Sequence, residues 1–503
     1  MNERKTGIFI SYFNIVLHAV VGFIYVPLLL HYIGKSEFGL YQLIGSFIAY
    51  FSIMDFGLTA AVVRFYTKYK ALQDRIGMEN VLALAVRAYS VIAVLLVLMG
   101  GIFYINLENA FNSSMTSAEI LTAKKLFLLL LFNIILTITT MVFRSVINSH
   151  ERFLFLKGLE TIQLVIQPVL VLVILQKYPS AMSVALVQTV LNIFLIIARG
   201  YYCFNKLKVS IKFHFWDKAL FNDFKRLAFS VFAVTLIDQL FFKTNQVILG
   251  IFSGTEAVAV YSVSSLIYMN YMALSTAISG VYLPHITEII AKNESVNKLS
   301  VLFIQVGRWQ YFLLALVASG FLVFGEQFIM LWAGAGFEDA YLITLLIIIP
   351  FTVDLIQNIG LSIMQAQNRY DFRAKVYLGI GIINICLAIP LGVKYGGIGC
   401  AFATGLSMFI GNGLIMNWYY ARVTRLEITK FWREIGKVSI GVIGVTVFGY
   451  TINYLLQSTS TLVFMLKIIG YSITYSIIMY KFFMNSNECE KVHKIISRRN
   501  LKN

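Results

Sequence analysis

The stretch near the start of the chain that decides the fold reads IFISYFNIVLHAVVGFIYVPLLLHYIGKSEFGLYQLIGSFIAYFSIMDFGLTAAVVRFY, from Ile8 to Tyr66. It contains two apolar segments, Ile8–Tyr32 and Phe38–Tyr66, with a short polar turn between them. A helix needs about 20 mostly apolar residues to cross the hydrocarbon of a bilayer. Each segment is therefore predicted to be one membrane span, and the turn returns the chain into the membrane.

The same alternation of apolar segments and short polar loops continues to the end of the chain. The further segments are 81–104, 126–147, 155–175, 182–198, 227–250, 257–283, 302–324, 341–364, 376–393, 398–420, 435–456 and 462–483. The chain has 503 residues, of which 59% are hydrophobic and 13% charged. Because helices satisfy their own backbone hydrogen bonds in lipid, the sequence predicts an all-α polytopic membrane protein with about 14 transmembrane helices.

Lysine and arginine are distributed unevenly over the loops between these spans. If the chain starts in the cytoplasm, about 30 of the 41 basic residues fall in cytoplasmic segments and about five in outer loops. Both termini are therefore predicted to be cytoplasmic, with Asn109, Ser180 and Ser458 outside. This bias and contact with anionic membrane lipids explain the net charge of +17, so no nucleic-acid partner is predicted.

Signatures of enzymes and of cofactor sites are missing from the sequence. Gly34–Lys35–Ser36 is like the end of a phosphate-binding loop, but Leu29 stands where that loop requires a glycine. The four cysteines include no CxxC pair, and the six histidines show no metal-ligand spacing. The sequence therefore predicts that the protein is not an enzyme and holds no metal or cofactor.

Two stretches about 220 residues apart share one pattern. Gly34–Tyr41 and Gly254–Tyr261 each begin with glycine, continue with polar and acidic residues, and end in an apolar run and tyrosine. Arg87, early in the third span, has a counterpart in Arg308, early in the ninth. Since six spans separate the members of each pair, two six-helix lobes of the same orientation are predicted, as in parallel transporter repeats.

The predicted domain boundaries follow from this repeat. The first lobe, with spans one to six, is residues 1–200, and a basic, aromatic interfacial linker on the cytoplasmic side is 201–226. The second lobe, with spans seven to twelve, is 227–420. Spans thirteen and fourteen are an addition at 421–484, and a basic cytoplasmic tail is 485–503.

Five basic residues within spans or at their inner ends are candidates for binding a substrate anion. They are Arg64, Arg87, Arg144, Lys243 and Arg308. A charge in the membrane costs about 2.5–3.5 kcal/mol on insertion scales, so each is a functional candidate. A guanidinium stays charged and can donate two parallel hydrogen bonds to a phosphate, which favours a cationic cavity. The alternative is that the arginines extend to the lipid headgroups beside them.

Three carboxylates also lie within predicted spans. Asp55 is in span two, Asp238 in span seven and Asp354 in span ten. A carboxylate in the membrane is either protonated or neutralised by a cation, because an isolated buried charge is too costly. The three are therefore candidates for ion coupling or gating. For Asp55, a structural pair with a nearby arginine is the alternative.

The residues Tyr32–Tyr41, then Met54–Leu58 and Val62–Arg64, resemble the amino-terminal pattern of the Wzx-type flippases of bacterial polysaccharide biosynthesis. These flippases belong to the multidrug/oligosaccharidyl-lipid/polysaccharide exporter (MOP) superfamily. The specific motif lies mainly in residues 27–66, whereas the span count and the repeat extend the resemblance over the whole chain.

The resemblance implies two lobes around a cavity that opens alternately to either side of the bacterial cytoplasmic membrane. It also implies a substrate, an undecaprenyl-diphosphate-linked oligosaccharide that is a repeat unit of O-antigen, capsule or exopolysaccharide. Membrane lipids and the polysaccharide polymerase machinery are the implied partners. Two alternatives stay open: a cation-coupled multidrug or metabolite antiporter of the same superfamily, and a membrane glycan polymerase.

Overall fold

The computed structural model describes residues 3–216, 218–292, 295–367, 369–456, 460–490 and 493. At 3–12, 15, 218–221, 223–231, 233–234 and 370 it describes the backbone alone. Ser458, predicted to lie outside, and most of the tail predicted at 485–503 therefore fall outside the described residues.

The described residues form helices joined by short turns, with no β-strand among them. The α-helices are α1 Glu3–Ser52, α2 Leu58–Ala71, α3 Arg75–Phe111, α4 Ser117–Thr139, α5 Met141–Ser149, α6 Phe153–Leu175, α7 Ala181–Tyr201, α8 Lys218–Phe252, α9 Thr255–Ser279, α10 Leu283–Ala291, α11 Val296–Trp332, α12 Asp339–Leu355, α13 Asn358–Ala366, α14 Tyr370–Met408, α15 Met416–Arg422, α16 Ile428–Leu455 and α17 Thr461–Ile478. Short 3₁₀ segments lie at Ile53–Asp55 and Gly280–Tyr282, and π-helical segments at Tyr202–Lys206, Phe409–Ile415 and Met479–Phe483.

Two long helices are each divided by a glycine in a conformation that other residues rarely adopt. Gly34 in α1 has φ 76° and ψ 174°, and Gly396 in α14 has φ 58° and ψ −137°. Gly34 is thus the predicted turn between the first two spans. Gly254, its predicted counterpart, has φ 84°, so the two turns share a left-handed glycine as well as a sequence pattern.

The number of spans agrees with the sequence pattern. Among the described residues, ten helical stretches are long and apolar enough to cross a membrane, or eleven when α12 and α13 count as one bent span. Val16–Ala71 and Asp371–Arg422 contain the dividing glycines and therefore two spans each. Helix α8 covers the seventh predicted span. The prediction of an all-α polytopic membrane protein is confirmed.

Helix lengths and helix breaks repeat along the chain. Helices α3 and α11, which carry Arg87 and Arg308, each have 37 residues. Helices α5 and α13 each have nine residues and each follow a break in the preceding helix. Helices α2 and α10 each follow a 3₁₀ turn. The sequence repeat therefore has a structural counterpart in the order of breaks and lengths.

The chain packs into two compact units. The first comprises Met1–Val263 with Ile389–Gly397, and the second comprises Ser264–Ala388 with Ile398–Asn503. Helix α8, which the repeat assigns to the second lobe, is part of the first unit. The boundaries at 200, 227, 421 and 485 describe the repeat rather than this packing, and they stay predictions.

In the second unit, the last two spans pack on α11 through an aromatic and aliphatic core. The core residues are Phe312, Ala315, Val323, Phe324, Val438, Val445, Phe464, Tyr471, Tyr475 and Met479. The Tyr471 hydroxyl donates to Ser319 Oγ at 2.7 Å, and the Tyr475 hydroxyl donates to the Phe312 carbonyl at 3.0 Å. Because the buried hydroxyls are paired, α16 and α17 form a firmly packed part of this unit.

Candidate functional site

Span two is interrupted where Asp55 lies. The 3₁₀ turn Ile53–Asp55 is followed by Phe56 and Gly57 with φ 49° and 70°, after which α2 begins. Asp55 Oδ1 accepts hydrogen bonds of 2.9 Å from Thr59 Oγ1 and of 2.9 Å from the Tyr89 hydroxyl. No lysine or arginine among the described residues lies within ion-pair distance of it. Two neutral donors thus hold a carboxylate at a helix break, and the predicted structural pair with an arginine is absent there.

The other two candidate carboxylates lie in different units. Asp354 belongs to the second unit and is the penultimate residue of α12, just before the 43° bend into α13. Its carbonyl accepts a hydrogen bond of 3.0 Å from the Gln357 amide. Asp238 is half-buried in α8 of the first unit. Asp55 and Asp354 therefore share a setting at a broken span, and their roles in coupling stay predictions.

Two cationic candidates of the first unit, Arg64 and Arg87, are exposed on α2 and α3. Arg64 forms no ion pair with a described carboxylate. The Arg87 guanidinium lies 3.5 Å from the centroid of the Phe213 ring, a cation–π contact with the linker. Both side chains are accessible, so each can reach either a lipid headgroup or a substrate anion.

The described linker after the π-helical turn runs without helical structure. Residues 207–216 carry no helix and lie along the start of α3. His214 Nε2 is 2.8 Å from Glu79 Oε2, and the amides of His214 and Phe215 donate to Asn80 Oδ1 at 3.3 and 3.4 Å. These contacts tie the linker to one helix of the first unit.

Arg144 on α5 is paired rather than free. Its Nη2 lies 3.0 Å from Glu160 Oε1, and the Arg144 side chain is 41% exposed. His150, in the turn after α5, adds no charge here at neutral pH. Burial, together with Lys70 and Arg152, lowers the His150 pKa to about 4. Arg144 therefore belongs to a local charge cluster.

Lys243 lies in a polar stretch of α8. It is half-buried, and no carboxylate among the described residues is within ion-pair distance. Its neighbour Thr244 pairs with the Tyr50 hydroxyl at 2.6 Å, and Asn245 Nδ2 donates to the Tyr261 hydroxyl at 2.7 Å. Gln246 pairs with Ser46 and, at 3.0 Å, with Ser262. The amides and hydroxyls bond to one another and leave the ammonium available for a ligand.

Arg308 is buried in the second unit. It differs from the other cationic candidates because protein groups occupy every nitrogen of its guanidinium. It is 3% exposed. Its Nε and Nη2 donate to the two oxygens of Glu488 at 2.7 and 2.9 Å, and Nη1 donates to Glu434 at 2.9 Å. Nη2 also donates to the Phe483 carbonyl at 2.8 Å. In this structure, Arg308 holds the segment after α17 against α11 and α16, a role that sequence reasoning did not anticipate.

A carboxylate that the sequence did not single out joins the two repeated turns. Glu119 Oε1 accepts from Ser36 Oγ at 2.5 Å and from Thr255 Oγ1 at 2.8 Å. Glu119 Oε2 accepts from the Thr116 amide at 2.9 Å and from its hydroxyl at 2.8 Å. All these residues belong to the first unit. Ser36, Gly39, Glu119 and Thr255 are called the turn cluster below.

Gly39 lets the two helices of the turn cluster touch through their backbones. A Cβ atom at Gly39 would lie 1.8 Å from the Thr255 carbonyl oxygen and 3.1 Å from the Ala259 amide nitrogen. Nearby, Lys35 Nζ lies 3.4 Å from Glu256 Oε2. Any side chain at Gly39 therefore separates α1 from α9, and the turn cluster depends on this glycine.

A local sequence pattern includes Glu119. Thr116 and Glu119 form a capping box at the start of α4, a pattern readable from Thr-x-x-Glu before an apolar run. A capping box predicts a helix start but not a partner, so the contact with Ser36 and Thr255 needed the fold.

The described residues provide no evidence for a metal site or a disulfide bond. Over the part of the chain that the structure describes, no group of three or more His, Cys, Asp or Glu side chains could hold a metal ion. The four cysteines are unpaired, with Cys203 and Cys400 buried.

Broken membrane spans and internal repeats are features of many membrane transporters. Solved transporter structures have this fold. The chain is similar to the lipid II flippase MurJ in an inward closed conformation, with a TM-score of 0.73 and 18% identity over 95% of this chain and 99% of that one. It is also similar to an inward-facing multidrug resistance MATE transporter of the MOP superfamily, with a TM-score of 0.60 and 13% identity over 83% and 96%.

Sequence comparison shows the family. Residues 5–290 match the family described as "Polysaccharide biosynthesis protein", and the chain belongs to that family. It is 22% identical over 431 residues to the "Putative O-antigen transporter" of Shigella flexneri, covering 82% of this chain and 97% of that protein. The predicted resemblance to the Wzx-type flippases of polysaccharide biosynthesis is confirmed at the level of this family. The relative and the solved structures that the chain matches are described as transporters or flippases, not as enzymes.

Proposed function

We propose that this transporter moves an undecaprenyl-diphosphate-linked oligosaccharide across the bacterial cytoplasmic membrane by alternating access. The family and the Shigella flexneri relative support a role in polysaccharide assembly. Membrane lipids surround the protein, and the polysaccharide polymerase machinery consumes the translocated unit. The excess of basic residues in alternate loops supports cytoplasmic termini.

The observation that carries this proposal is the turn cluster. Alternating access needs a contact that closes one side in one state and separates in the other. Ser36 and Thr255 belong to the two repeated turns and meet on Glu119 through hydrogen bonds from neutral hydroxyls. A hydrogen bond between neutral groups contributes about 0.5–1.5 kcal/mol, and one to a charged group about 1.5–3 kcal/mol. Bonds of this strength can break and re-form, so the contact within the turn cluster is reversible. Under the positive-inside rule it lies on the outer side.

The substrate headgroup loses its bound water when it enters the membrane, and other polar groups must replace that water. A diphosphate that enters hydrocarbon alone meets a barrier of many kcal/mol, whereas cations and amides in a wet cavity replace its water. Lys243, half-buried in the polar stretch of α8, is suited to this role, and Arg64 and Arg87 supply further charge.

We expect Lys243→Ala and Arg64→Ala to lower polysaccharide export by about tenfold or more, because each loses a charge-assisted hydrogen bond to the diphosphate. Substitution by Glu should lower export further, since repulsion replaces attraction. The measurement is export per unit of membrane protein. Lys430→Ala, an exposed lysine 3.1 Å from Glu427, is the matched control. Normal export from Arg64→Ala, Arg87→Ala and Lys243→Ala would contradict the cationic cavity and favour the headgroup interpretation of the two arginines.

A separate prediction concerns Asp55. Asp55→Asn keeps an oxygen that accepts from Thr59 and Tyr89 but cannot bind a proton or balance a sodium ion. We expect it to reduce flipping in vesicles to near background and to remove any response to an imposed pH or sodium gradient. Thr59→Val, which removes one hydrogen bond and leaves the carboxylate, should keep that response. If wild-type flipping ignores both gradients and Asp55→Asn matches it, the carboxylate is structural.

A further inference from the structure

A cluster with more cations than anions lies on α5, α6 and α7 of the first unit. The two Glu160 oxygens lie 3.0 Å from Arg144 Nη2 and 2.8 Å from Lys157 Nζ. Arg199 on α7 interacts electrostatically with both Arg144 and Glu160. No second carboxylate among the described residues is within ion-pair distance of the three cations. The α5–α7 charge cluster, as Arg144, Lys157, Glu160 and Arg199 are called here, therefore has two excess positive charges.

One donor of this cluster has no acceptor. Arg199 Nε is buried, and no described residue accepts its N–H. A buried donor without a partner costs about 1–3 kcal/mol, and more when the group is charged. Glu160 already uses one oxygen for Arg144 and the other for Lys157. An anion from outside the chain would supply both the missing acceptor and the missing charge.

The position of the cluster indicates which anion this is. Lys157 and Glu160 lie four and seven residues after α6 begins, and Arg199 lies two residues before α7 ends. At a rise of about 1.5 Å per residue, all three are within about 11 Å of the helix ends, where lipid headgroups meet their chains.

Exposed apolar side chains accompany the charges at this end of the helices. Leu154, Tyr201 and Phe204 are exposed, and Phe155 stacks on Tyr202 with ring centroids 4.0 Å apart. An anion bound here has an apolar surface beside it that suits an acyl or isoprenoid chain. A lipid phosphate fits both features, whereas a free phosphate fits only the charges.

We propose that Arg144, Lys157 and Arg199 form a binding site for the phosphate or diphosphate group of a lipid. Arg199 donates its free Nε–H to a phosphate oxygen, and the permanently charged guanidinium groups suit such oxygens. Glu160 holds Arg144 and Lys157 in place and limits the affinity by repelling the ligand. The site lies within one unit, and its existence does not rest on the proposed transport.

The test measures ligand-dependent thermal stabilisation of the purified full-length protein in detergent. The probes are farnesyl diphosphate, dihexanoyl phosphatidylglycerol, inorganic pyrophosphate and, as a neutral control, dihexanoyl phosphatidylcholine. We expect at least one lipid anion to bind more tightly than pyrophosphate. Arg144→Gln and Arg199→Gln should raise its Kd by about tenfold or more, from the loss of a charge-assisted bond. Glu160→Gln should lower the Kd, and Lys430→Gln should leave it unchanged.

The opposite changes in Kd expected for the arginine variants and for Glu160→Gln distinguish a ligand site from a purely structural cluster. A structural cluster predicts that Glu160→Gln destabilises the protein without tightening any probe. Tighter binding of farnesyl diphosphate assigns the site to a polyprenyl diphosphate, and tighter binding of phosphatidylglycerol assigns it to an ordinary phospholipid; both support the proposal. Equal Kd values in wild type, Arg199→Gln and Glu160→Gln, or pyrophosphate binding as tightly as both lipids, would overturn it. Because no transport is measured, this test and that of the proposed function can fail separately.

Discussion

Oxidation of a Ser36→Cys/Thr255→Cys variant is expected to stop polysaccharide export, and reduction is expected to restore it. The two hydroxyl oxygens lie 3.2 Å apart, and the helices behind them touch through backbone at Gly39. A disulfide there ties the two repeated turns together and prevents the turn cluster from separating. If the joint must open in every transport cycle, the oxidised protein completes none.

The matched control is Asn133→Cys/Thr189→Cys, whose side chains are hydrogen-bonded at 3.0 Å between α4 and α7. Both helices lie within the predicted first lobe, so a link between them should leave export intact. The natural residues Cys203, Cys386, Cys400 and Cys489 are replaced first, and export by that background is checked. A cysteine placed at Asn109 in the same background should react with an impermeant reagent from outside, as the predicted orientation requires. Export by cells whose Ser36→Cys/Thr255→Cys protein is fully linked would contradict the gating role.

Arg308→Ala is expected to destabilise the protein by about 3–5 kcal/mol, the usual cost of removing one partner of a buried ion pair. Glu488 is 1% exposed and would keep its charge without the guanidinium. Loss of Arg308 costs less free energy at Glu434, because the Glu434 side chain is partly exposed and lies 2.6 Å from Lys437 Nζ. The expected result is a large fall in thermal stability and in membrane protein level, with export falling in proportion to the protein.

A double variant decides whether Arg308 also binds substrate. Arg308→Met/Glu488→Leu replaces the buried pair by apolar side chains, which is often neutral or stabilising. If the role of Arg308 is structural, this variant should regain both protein level and export. If the stability returns while export stays absent, Arg308 is a substrate ligand, as the sequence first predicted.

The spans and the repeat could be predicted because each depends on nearby residues. A helix in lipid satisfies its own backbone, so the hydropathy of about 20 consecutive residues is enough to place it. Gly34 and Gly254 could be recognised as equivalent turns from their flanking residues, and both adopt a positive φ. The helix breaks were harder to predict. Asp55–Phe56–Gly57 lies in a segment apolar enough to pass as one continuous helix.

The charged candidates show that the sequence does not predict which group a charge in a span contacts. Arg87 and Arg308 hold equivalent places in the repeat, yet Arg87 is exposed against Phe213 and Arg308 is buried against Glu434 and Glu488. Nothing around Arg308 in the sequence distinguishes it, because Glu434 lies 126 residues and Glu488 lies 180 residues further along the chain. A charge in a span predicts that a partner exists, but not whether the partner is protein, lipid or substrate.

The sequence alone determined the membrane class, the helical spans, the internal repeat and the family motif, because hydropathy and turn chemistry act over short stretches of chain. Only the tertiary structure decided which charges are committed to other side chains and which have none. It joined Ser36 to Thr255 across 219 residues and left the Arg199 Nε–H without an acceptor among the residues that the structure describes. Those outcomes depend on how distant helices pack, since a hydrogen bond or ion pair forms only when two side chains come within about 3–4 Å of each other.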